Sequence, residues 1–276
     1  MTIQTALLQG TRLLEDDSIS APRLTAEVLL AHALGRERTY LYAHSEEELT
    51  EIGWIHFGRY LHERLKGKPT QYITCRQEFY GRDFRVTPDV LIPRPETEHL
   101  VEACLKRIRS GNRVLDVGAG SGAIAITLAL ETKARVYATD ISRAALAVAS
   151  DNGRRLRATV QFIACDLATC FSAACFDLIA SNPPYVPASD RASLQREVRD
   201  YEPAVALYGG PSGLEIYQRL ITDAERLLHP GGWLLMELGY NSLEPVCGML
   251  GTSWSEITVE HDLAGLPRVL AARVTR

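Results

Sequence analysis

The sequence lacks an excess of positive charge, a long apolar run and a basic leader. It carries 30 lysine and arginine residues against 34 aspartate and glutamate residues, a formal net charge of −4. No global positive field is therefore available to grip a long nucleic-acid backbone, although a local basic groove is compatible with this balance. No apolar run approaches the ~20 residues of a membrane-spanning helix. The first residues have neither the basic start nor the apolar core of a signal peptide, so we expect no membrane span and no secretory leader.

The six cysteines form no CxxC pair, and no histidine stands at zinc-ligand spacing beside them. The even spacing of Cys165, Cys170 and Cys175 would suit a metal. However, Cys165 ends an apparent strand and the other two lie in a loop of small residues. We therefore expect reduced thiols and no metal site, which is typical of a cytoplasmic protein.

The 276 residues contain two regions with different apolar periodicity. In the N-terminal part, Leu24, Val28 and Ala31 repeat at helix spacing behind Pro22, and a second stripe does the same from Trp54 to Leu65. This pattern predicts a small helical domain. A stretch with β character follows from Gln71 to Val86, where Gly81-Arg82-Asp83 separates two aromatic-rich runs and predicts a hairpin.

Pro93-Arg94-Pro95 then stiffens the chain before a helix that we predict from about Pro95 to Arg109. Arg94 has two readings: it contacts a ligand, or it pins the linker between domains by hydrogen bonds. The sequence leaves both open.

Strands and helices alternate from Arg113 onward. The pattern predicts strands at 113–117, 134–138, 160–164, 176–181 and 233–238, with helices at 123–130, 142–156 and 214–228. Such alternation predicts a doubly wound, mainly parallel sheet. The last two predicted strands, 255–260 and 268–274, are separated by too little chain for a helix, which predicts an antiparallel hairpin at the sheet edge.

A glycine loop directly follows the first of these strands. Its residues are Gly118, Ala119, Gly120, Ser121 and Gly122. Glycines permit a sharp turn and close approach of a ligand, and the free amides of the next helix could receive a charged cofactor group.

Three acidic residues end the neighbouring strands. Asp140 follows the glycines by about twenty residues, where a carboxylate accepts ribose hydroxyls. These features fit nicotinamide dinucleotides and S-adenosylmethionine alike. Asp166, just past the next strand, could accept from an adenine amino group or could be a solvated loop residue. Glu237 ends the strand after Gly231-Gly232, where it could touch substrate or only hold loops.

The tetrapeptide Asn182-Pro183-Pro184-Tyr185 follows the strand that we expect beside the glycine-loop strand. An amide or aromatic amino nitrogen is a poor nucleophile because its lone pair is delocalised. The Asn182 side-chain oxygen and the Pro183 carbonyl could both accept from such an NH₂ group and hold its nitrogen in line with a methyl donor. Tyr185 offers a flat face for a planar group. The plainer reading is a proline-rich turn that caps a strand.

With these motifs in this order, the chain resembles the release-factor glutamine methyltransferases, which methylate the side-chain amide N5 of the glutamine in the Gly-Gly-Gln motif of bacterial class-1 peptide chain release factors. The resemblance covers nearly the whole chain. It is carried by 71–74 (Gln-Tyr-Ile-Thr), 78–81 (Glu-Phe-Tyr-Gly), 92–98 (Ile-Pro-Arg-Pro-Glu-Thr-Glu), the glycine loop and the tetrapeptide. The arginine between prolines is the most specific piece, because DNA adenine and RNA guanine methyltransferases share the tetrapeptide.

The resemblance implies a Rossmann-like class I methyltransferase sheet, mainly parallel with an antiparallel edge strand, preceded by a small helical domain. The implied boundaries are a helical substrate-recognition domain over 1–70, a β-hairpin linker over 71–90 and a methyltransferase domain over 91–276. S-adenosylmethionine would be the methyl donor and S-adenosylhomocysteine the product. Release factors would be the partners, with no stable nucleic-acid binding.

Family roles carry over onto matching positions. The resemblance implies catalytic roles for Asn182, Pro183 and Tyr185, and substrate contacts for Asn182, Pro183, Pro184 and Tyr185. Together with the readings of the acidic residues, it predicts cofactor contacts for Gly118, Ala119, Gly120, Ser121, Gly122, Asp140, Asp166, Leu167 and Asn182.

Two residues depart from the family pattern. Cys75 stands where the family usually has glycine, and Leu167 stands where some members place an aromatic beside the adenine.

Three other functions are weighed against this one. A methyltransferase for another planar nitrogen, in a ribosomal-protein glutamine or in a nucleic-acid adenine or guanine, would need a basic or aromatic recognition region. The first 85 residues offer only a loose cluster of Arg59, Arg64, Lys66 and Lys68. An assembly factor that has lost catalysis has no need of Asn182, and a dehydrogenase leaves the tetrapeptide unexplained.

Overall fold

The computed structural model describes residues 1–275, which form two compact units. One unit comprises Met1–Arg76 together with Gln195–Tyr201. The other comprises Gln77–Leu194 and the chain from Glu202 onward. The predicted boundaries of functional domains, 1–70, 71–90 and 91–276, stay a prediction.

The first unit is helical, as its apolar periodicity predicts. Its helices are α1 (Ile3–Asp16), α2 (Pro22–Leu34), α3 (Arg38–Ala43), α4 (Glu51–Leu65) and α5 (Thr70–Thr74), together with the short helix Arg196–Tyr201. The hydroxyl of Thr2 accepts from the Thr5 amide at 3.2 Å and that of Thr50 accepts from the Gly53 amide at 3.1 Å, so side chains cap the first turns of α1 and α4.

The core of this unit lies between α1, α2 and α4. Phe57 and Leu61 of the predicted second stripe are buried, whereas Trp54 lies at the rim with 36% of its surface exposed. A Cβ added at Gly10 would lie 2.6 Å from the Phe57 ring, so glycine lets α1 approach α4 closely. The returning segment is held in this unit by the Arg64–Glu197 ion pair at 2.6 Å.

The predicted β character from Gln71 is wrong for its first residues, which form helix α5. Cys75 ends that helix in the left-handed region, with φ of 56°. Strands β1 (Arg76–Phe79) and β2 (Arg82–Arg85) then form the hairpin. Its turn is Tyr80-Gly81, both with positive φ, and not Gly-Arg-Asp, because a two-residue hairpin turn of this hand needs positive φ at both positions.

The second unit is built around a seven-stranded sheet. Its long strands are β3 (Arg113–Val117), β4 (Arg135–Asp140), β5 (Val160–Ala164), β6 (Phe176–Ser181), β9 (Leu228–Glu237), β10 (Trp254–His261) and β11 (Pro267–Val274). The strand order is β10-β11-β9-β6-β3-β4-β5. All pairings are parallel except those of β11, which runs antiparallel to both β9 and β10. The predicted mainly parallel sheet with an antiparallel hairpin at one edge is thus confirmed.

Helices and short elements connect these strands. They are a 3₁₀ turn (Pro95–Thr97), α6 (Glu98–Leu105), α7 (Ala123–Glu131), α8 (Arg143–Leu156), β7 (Val186–Pro187), a 3₁₀ turn (Ala188–Ser193), α9 (Arg196–Tyr201, in the first unit), α10 (Ala204–Leu207), β8 (Tyr208–Gly210), α11 (Glu215–Leu227) and α12 (Leu243–Met249).

Several elements differ from the sequence prediction. Helix α6 ends at Leu105 and not near Arg109, and neither α12 nor the short elements between β6 and α11 were predicted. Strand β9 begins at Leu228, because the stretch that reads as a helix stop pairs with β6 through an irregular register, with Phe176 opposite Leu228.

The sheet is covered on both faces by apolar side chains. One buried cluster includes Leu100 of α6 and the hairpin residues Phe79 and Phe84, whose rings meet edge to face at 6.0 Å between centroids. The other includes Tyr217 and Leu220 of α11. Within residues 1–275, no helix combines the length and the apolar character needed to cross a membrane.

Candidate active site

The predicted site residues meet at one edge of the sheet. Strands β6, β3, β4 and β5 are neighbours and run parallel, so their carboxyl ends share one edge, where open α/β sheets bind ligands. Gly118, Asp140, Asp166 and Asn182 stand at or just beyond those ends. The predicted neighbourhood of β3 and β6 is confirmed, and a Cβ added at Gly118 would lie 4.0 Å from the Asn182 carbonyl oxygen.

The glycine loop needs its glycines. Gly118, Gly120 and Gly122 all have positive φ, at 82°, 52° and 83°, a region that side chains with a Cβ rarely adopt. At Gly122 space adds to backbone conformation, since a Cβ there would lie 2.8 Å from Ile126 Cδ1.

Several amides of this loop already have partners inside the protein. Gly118 and Ala119 both donate to the Thr139 carbonyl, at 2.9 and 2.8 Å, and Gly120 donates to Asp140 Oδ2 at 2.8 Å. Hydrogen bonds to the end of β4 therefore fix the main chain of the loop. The expectation of a charged cofactor group concerned the amides at the start of α7, and it stays a prediction.

Asp140 is the carboxylate that fixes the loop to the end of β4. Besides the Gly120 amide, it accepts from the Ser142 amide through Oδ1 at 2.8 Å, and it remains half-buried. Each carboxylate oxygen has a second lone pair. Asp140 can therefore still accept from the two hydroxyls of a ribose without breaking either contact.

Asp166 and Leu167 follow β5. They come near the end of β4, since the amide of the preceding Cys165 donates to the Asp140 carbonyl at 3.0 Å. The Asp166 carboxylate is exposed and pairs with Arg219 of α11 at 2.7 Å. Leu167 has a φ of 48° and packs against the apolar cluster of α11. Their predicted contacts with the adenine stay predictions.

Asn182 is held by a residue from a distant part of the sequence. Its Nδ2 donates to Thr97 Oγ1 at 3.1 Å. Thr97 closes the 3₁₀ turn Pro95–Thr97 and is 4% exposed. The strand end before Asn182 is fixed as well, since Ser181 Oγ donates to the Val117 carbonyl at 2.7 Å. In this arrangement Thr97 holds the nitrogen end of the Asn182 amide and not its oxygen end.

Glu237 ends β9, next to β6, where Ser181 stands opposite Met236. It is 4% exposed, and its Oε2 has no hydrogen-bond partner among the described residues. Burial raises the pKa of Glu237 to about 7, while the Thr97 side chain beside it favours the ionised form; Glu96 raises the pKa further, and Arg268 and Arg94 lower it. The structure places the Glu237 carboxyl beside the Thr97 side chain. Whether Glu237 touches substrate or holds loops, the two readings of the sequence, stays open.

Tyr185 packs its ring against Gly239, where an added Cβ would lie 2.6 Å from Cδ2. Burial raises the pKa of Tyr185 to about 12, with nearby Glu237 adding to the shift. The phenol is therefore neutral at physiological pH. Glycines also let the main chain of the tetrapeptide pack closely, because a Cβ at Gly209 or Gly213 would collide with the carbonyls of Pro184 and Tyr185.

Arg94 forms an ion pair with Glu202, a buried residue whose other oxygen accepts from the Ile92 amide at 3.2 Å. Glu202 is thereby tied to two points of the segment before the 3₁₀ turn. This contact fixes Arg94 within its own unit. Whether Arg94 contacts a ligand or pins the linker between domains stays a prediction.

Two further buried residues support the glycine loop, and no sequence pattern singled them out. Asn152 of α8 donates through Nδ2 to the Ser121 and Arg85 carbonyls, both at 2.9 Å, and so ties the loop to β2. Asp116 of β3 accepts from the Ala125 amide at 3.1 Å, and its Oδ1 has no partner among the described residues. A polar residue in an alanine-rich helix gives no signal before the fold is known, whereas Thr97 lies inside the segment that carries the family resemblance.

Asp116 is wholly buried, and burial raises its pKa to about 7; the Ala125 amide opposes that shift and nearby Asp140 adds to it. Within residues 1–275, no group of three or more histidine, cysteine, aspartate or glutamate side chains could hold a metal ion.

These features together define a class of protein. The strand order, the glycine loop after β3, the acid at the end of β4 and the Asn-Pro-Pro-Tyr loop after β6 are those of a Rossmann-like class I methyltransferase. Structural comparison agrees on the fold. A methyltransferase from Pyrococcus furiosus, 21% identical, superposes with a TM-score of 0.54 over 71% of this chain and 90% of its own. The T. thermophilus 16S rRNA N2 G1207 methyltransferase, solved with AdoMet and guanosine, is 22% identical and superposes with a TM-score of 0.53 over 73% of this chain and 50% of its own.

Sequence comparison narrows the class to one family. Residues 5–74 match the PrmC N-terminal domain, and residues 95–198 match the methyltransferase small domain. The release factor glutamine methyltransferase of Koribacter versatilis is 45% identical over 277 residues, covering 99% of each chain. The chain belongs to the release factor glutamine methyltransferase family, and its catalysis depends on S-adenosylmethionine.

Proposed function

We propose that this chain transfers a methyl group from S-adenosylmethionine to the side-chain amide N5 of the glutamine in the Gly-Gly-Gln motif of class-1 release factors. The methyl–sulfur bond breaks as the methyl–nitrogen bond forms, and S-adenosylhomocysteine and one proton from the amide nitrogen are released. The observation that carries the proposal is the orientation of Asn182, whose Nδ2 is bonded to Thr97 and whose oxygen is left for an acceptor NH₂ group.

The residues at the sheet edge fit the methyl donor. A Cβ added at Gly118 would still lie 4.0 Å from the Asn182 carbonyl oxygen. The glycine loop and the Asn-Pro-Pro-Tyr loop therefore leave space between them. Half-buried Asp140 keeps acceptor capacity for ribose hydroxyls. Gly118 to Gly122 and Asp140 would hold the cofactor, with Asp166 and Leu167 towards its adenine. When bound, this cofactor supplies an electrophilic methyl group on a sulfonium.

The tetrapeptide then positions the nucleophile. Asn182 Oδ1 and the Pro183 carbonyl would each accept one N–H of the glutamine amide, which fixes the direction of the nitrogen lone pair. Both acceptors also stabilise the positive charge that develops on nitrogen during transfer. Pro184 stiffens the loop, and Tyr185 offers its ring face to the planar amide.

The three predicted domains would have separate roles. Residues 1–70 would recognise the release factor, 71–90 would link the domains and 91–276 would carry out the transfer. The main rival is transfer to another planar nitrogen, in a ribosomal-protein glutamine or in a nucleic-acid adenine or guanine, and it would need a basic or aromatic recognition region. In the loose basic cluster of the first unit, Arg64 pairs with Glu197 and Lys68 pairs with Glu63 at 2.7 Å. A substrate that works in translation also agrees with a cytoplasmic location.

A methyl-transfer assay with labelled cofactor tests the proposal. We expect label in a class-1 release factor and none in the same factor with its motif glutamine changed to glutamate. RNA, DNA and ribosomal proteins serve as parallel acceptors. Label in one of these, with none in the release factor, would reject the proposal in favour of the rival.

A further inference from the structure

The Asn182 side chain poses a problem of direction. Its amide has an oxygen end that accepts and a nitrogen end that donates, and the two ends have nearly the same shape. Only the oxygen end can accept from a substrate NH₂ group. In the reversed orientation two NH₂ groups would face each other, so the site needs a device that keeps the oxygen outward.

Thr97 alone cannot be that device. Its Oγ1 accepts from Asn182 Nδ2 at 3.1 Å, but a hydroxyl can accept or donate. If the Thr97 hydroxyl donated instead, it would bond Asn182 Oδ1 equally well and turn the nitrogen end towards the substrate. A second partner must therefore commit the hydroxyl proton elsewhere.

Glu237 is that second partner. Its carboxyl lies beside the Thr97 side chain, and both residues are 4% exposed, so water does not compete for their hydrogen bonds. An ionised carboxylate only accepts. It takes the Thr97 hydroxyl proton and leaves the Thr97 oxygen as an acceptor, which must receive the Asn182 NH₂ group.

We propose that Thr97 and Glu237 are positioning residues that set the direction of the Asn182 amide, through a chain in which Asn182 donates to Thr97 and Thr97 donates to Glu237. The proposal rests on the proposed function, because the oxygen end matters only when the acceptor is an NH₂ group. The chain joins three points that are far apart in sequence, one before α6, one after β6 and one at the end of β9.

The hydrogen bonds from Asn182 to Thr97 and from Thr97 to Glu237 should depend on pH, because they require an ionised Glu237. Protonated Glu237 can donate to Thr97 and so release the hydroxyl to donate to Asn182. Burial raises the pKa of Glu237 to about 7, in an environment that includes Glu96, Arg268, Arg94 and Tyr185. We therefore expect the outward orientation to be lost as the pH falls below about 7.

Paired threonine variants test the positioning. Thr97→Val keeps the shape and removes the hydroxyl, and it should lower kcat by ~10- to 100-fold, the scale of a misplaced reacting group. KM for the release factor and Kd for S-adenosylmethionine should change little. Thr97→Ser should restore kcat. Thr127→Val is the matched control, because Thr127 is fully buried in α7 and its hydroxyl has no partner among the described residues. A Thr97→Val enzyme with the wild-type kcat, or no rescue by serine, would overturn the proposal.

The orientation can also be measured without turnover. Protection of the Asn182 side-chain NH₂ group from proton exchange can be measured by NMR, relative to a free primary amide at the same pH. Protection should be high in the wild type at pH 8 and lower in Thr97→Val, in Glu237→Gln and in the wild type at pH 5.5. Equal protection in all samples would refute the chain of hydrogen bonds. If the wild type methylates no release factor yet shows this exchange pattern, the proposed substrate fails and the positioning stands for another NH₂ acceptor.

Discussion

The two halves of the site solve the same problem with different groups. The cofactor half is made of main-chain groups from one stretch, Gly118 to Gly122, fixed by Asp140 and Asn152. The acceptor half is made of side chains from separate segments, in which Asn182 is held by Thr97. Beside each half lies one buried carboxyl, Asp116 or Glu237, of which one oxygen has no hydrogen-bond partner among residues 1–275. A contiguous motif can thus specify where a cofactor binds, whereas the direction of a catalytic amide depends on contacts made only in the fold.

Asn182→Ala is the substitution that should affect the two halves of the site most differently. The substitution removes an acceptor of the reacting amide but leaves the glycine loop intact. We expect kcat to fall by ~10²- to 10³-fold, the scale for removing one group that stabilises transition-state charge. Single-turnover kinetics measure the loss and calorimetric titration should show nearly unchanged S-adenosylmethionine affinity. Near-normal turnover would remove Asn182 from the mechanism.

A smaller effect should come from the buried carboxyl behind the glycine loop. The pKa of Asp116 is about 7 in the fold, against ~3.9 in an unfolded chain. Because the folded value is the higher one, this group's stabilising contribution is complete below the unfolded pKa and is lost as pH rises through 7. Relative to the wild type, Asp116→Asn should therefore gain up to roughly 1.4 kcal/mol of unfolding free energy per pH unit between pH 5 and 7. Urea unfolding at several pH values measures this, and a constant difference would contradict it.

Asp140→Ala probes the cofactor half directly. We expect weaker S-adenosylmethionine binding by roughly 1–3 kcal/mol, the scale of charge-assisted hydrogen bonds. Part of that loss would come from the Gly120 and Ser142 amides, which lose their acceptor. Asp140→Asn keeps one acceptor oxygen and should lose less. Unchanged affinity in calorimetric titration of the alanine variant would rule out the ribose role.

The smallest effect should lie outside both halves, at Cys75. This exposed residue ends α5 with a φ of 56°, a conformation that costs a residue with a Cβ more than it costs glycine. Cys75→Gly should raise the free energy of unfolding by about 0.5–1 kcal/mol and leave methyl transfer unchanged. Thermal unfolding measures the gain. A loss of stability would show that the thiol contributes more than the backbone strain removes.

Much of the fold followed from periodicity. The alternation after Arg113 predicted a parallel sheet because buried strands and amphipathic helices have different apolar spacings. The errors fell where local signals compete with pairing across the sheet: the stretch from Leu228 reads as a helix stop but joins β9. A second error concerns 71–74, which reads as β but lies in α5. This helix begins after Pro69 and ends at Cys75, whose backbone is left-handed.

The site residues show the same contrast between local sequence signals and contacts made only in the fold. Asn182, Asp140 and the glycines could be found because strand ends carry them to one sheet edge. The contacts of Thr97 and Asn152 could not be predicted, since their partners lie 85 and 31 residues away and no spacing rule links them. Glu237 could be placed at the edge, but its position behind Thr97 depends on the packing of β9 beside β6.

The most direct test of the proposed function is to locate the methyl group. Fragmentation mass spectrometry of the Gly-Gly-Gln peptide, from a class-1 release factor treated with the enzyme and labelled S-adenosylmethionine, assigns the label to one side chain. We expect a single methyl on the amide nitrogen of the motif glutamine. An unmodified motif glutamine in a release factor exposed to active enzyme would contradict it.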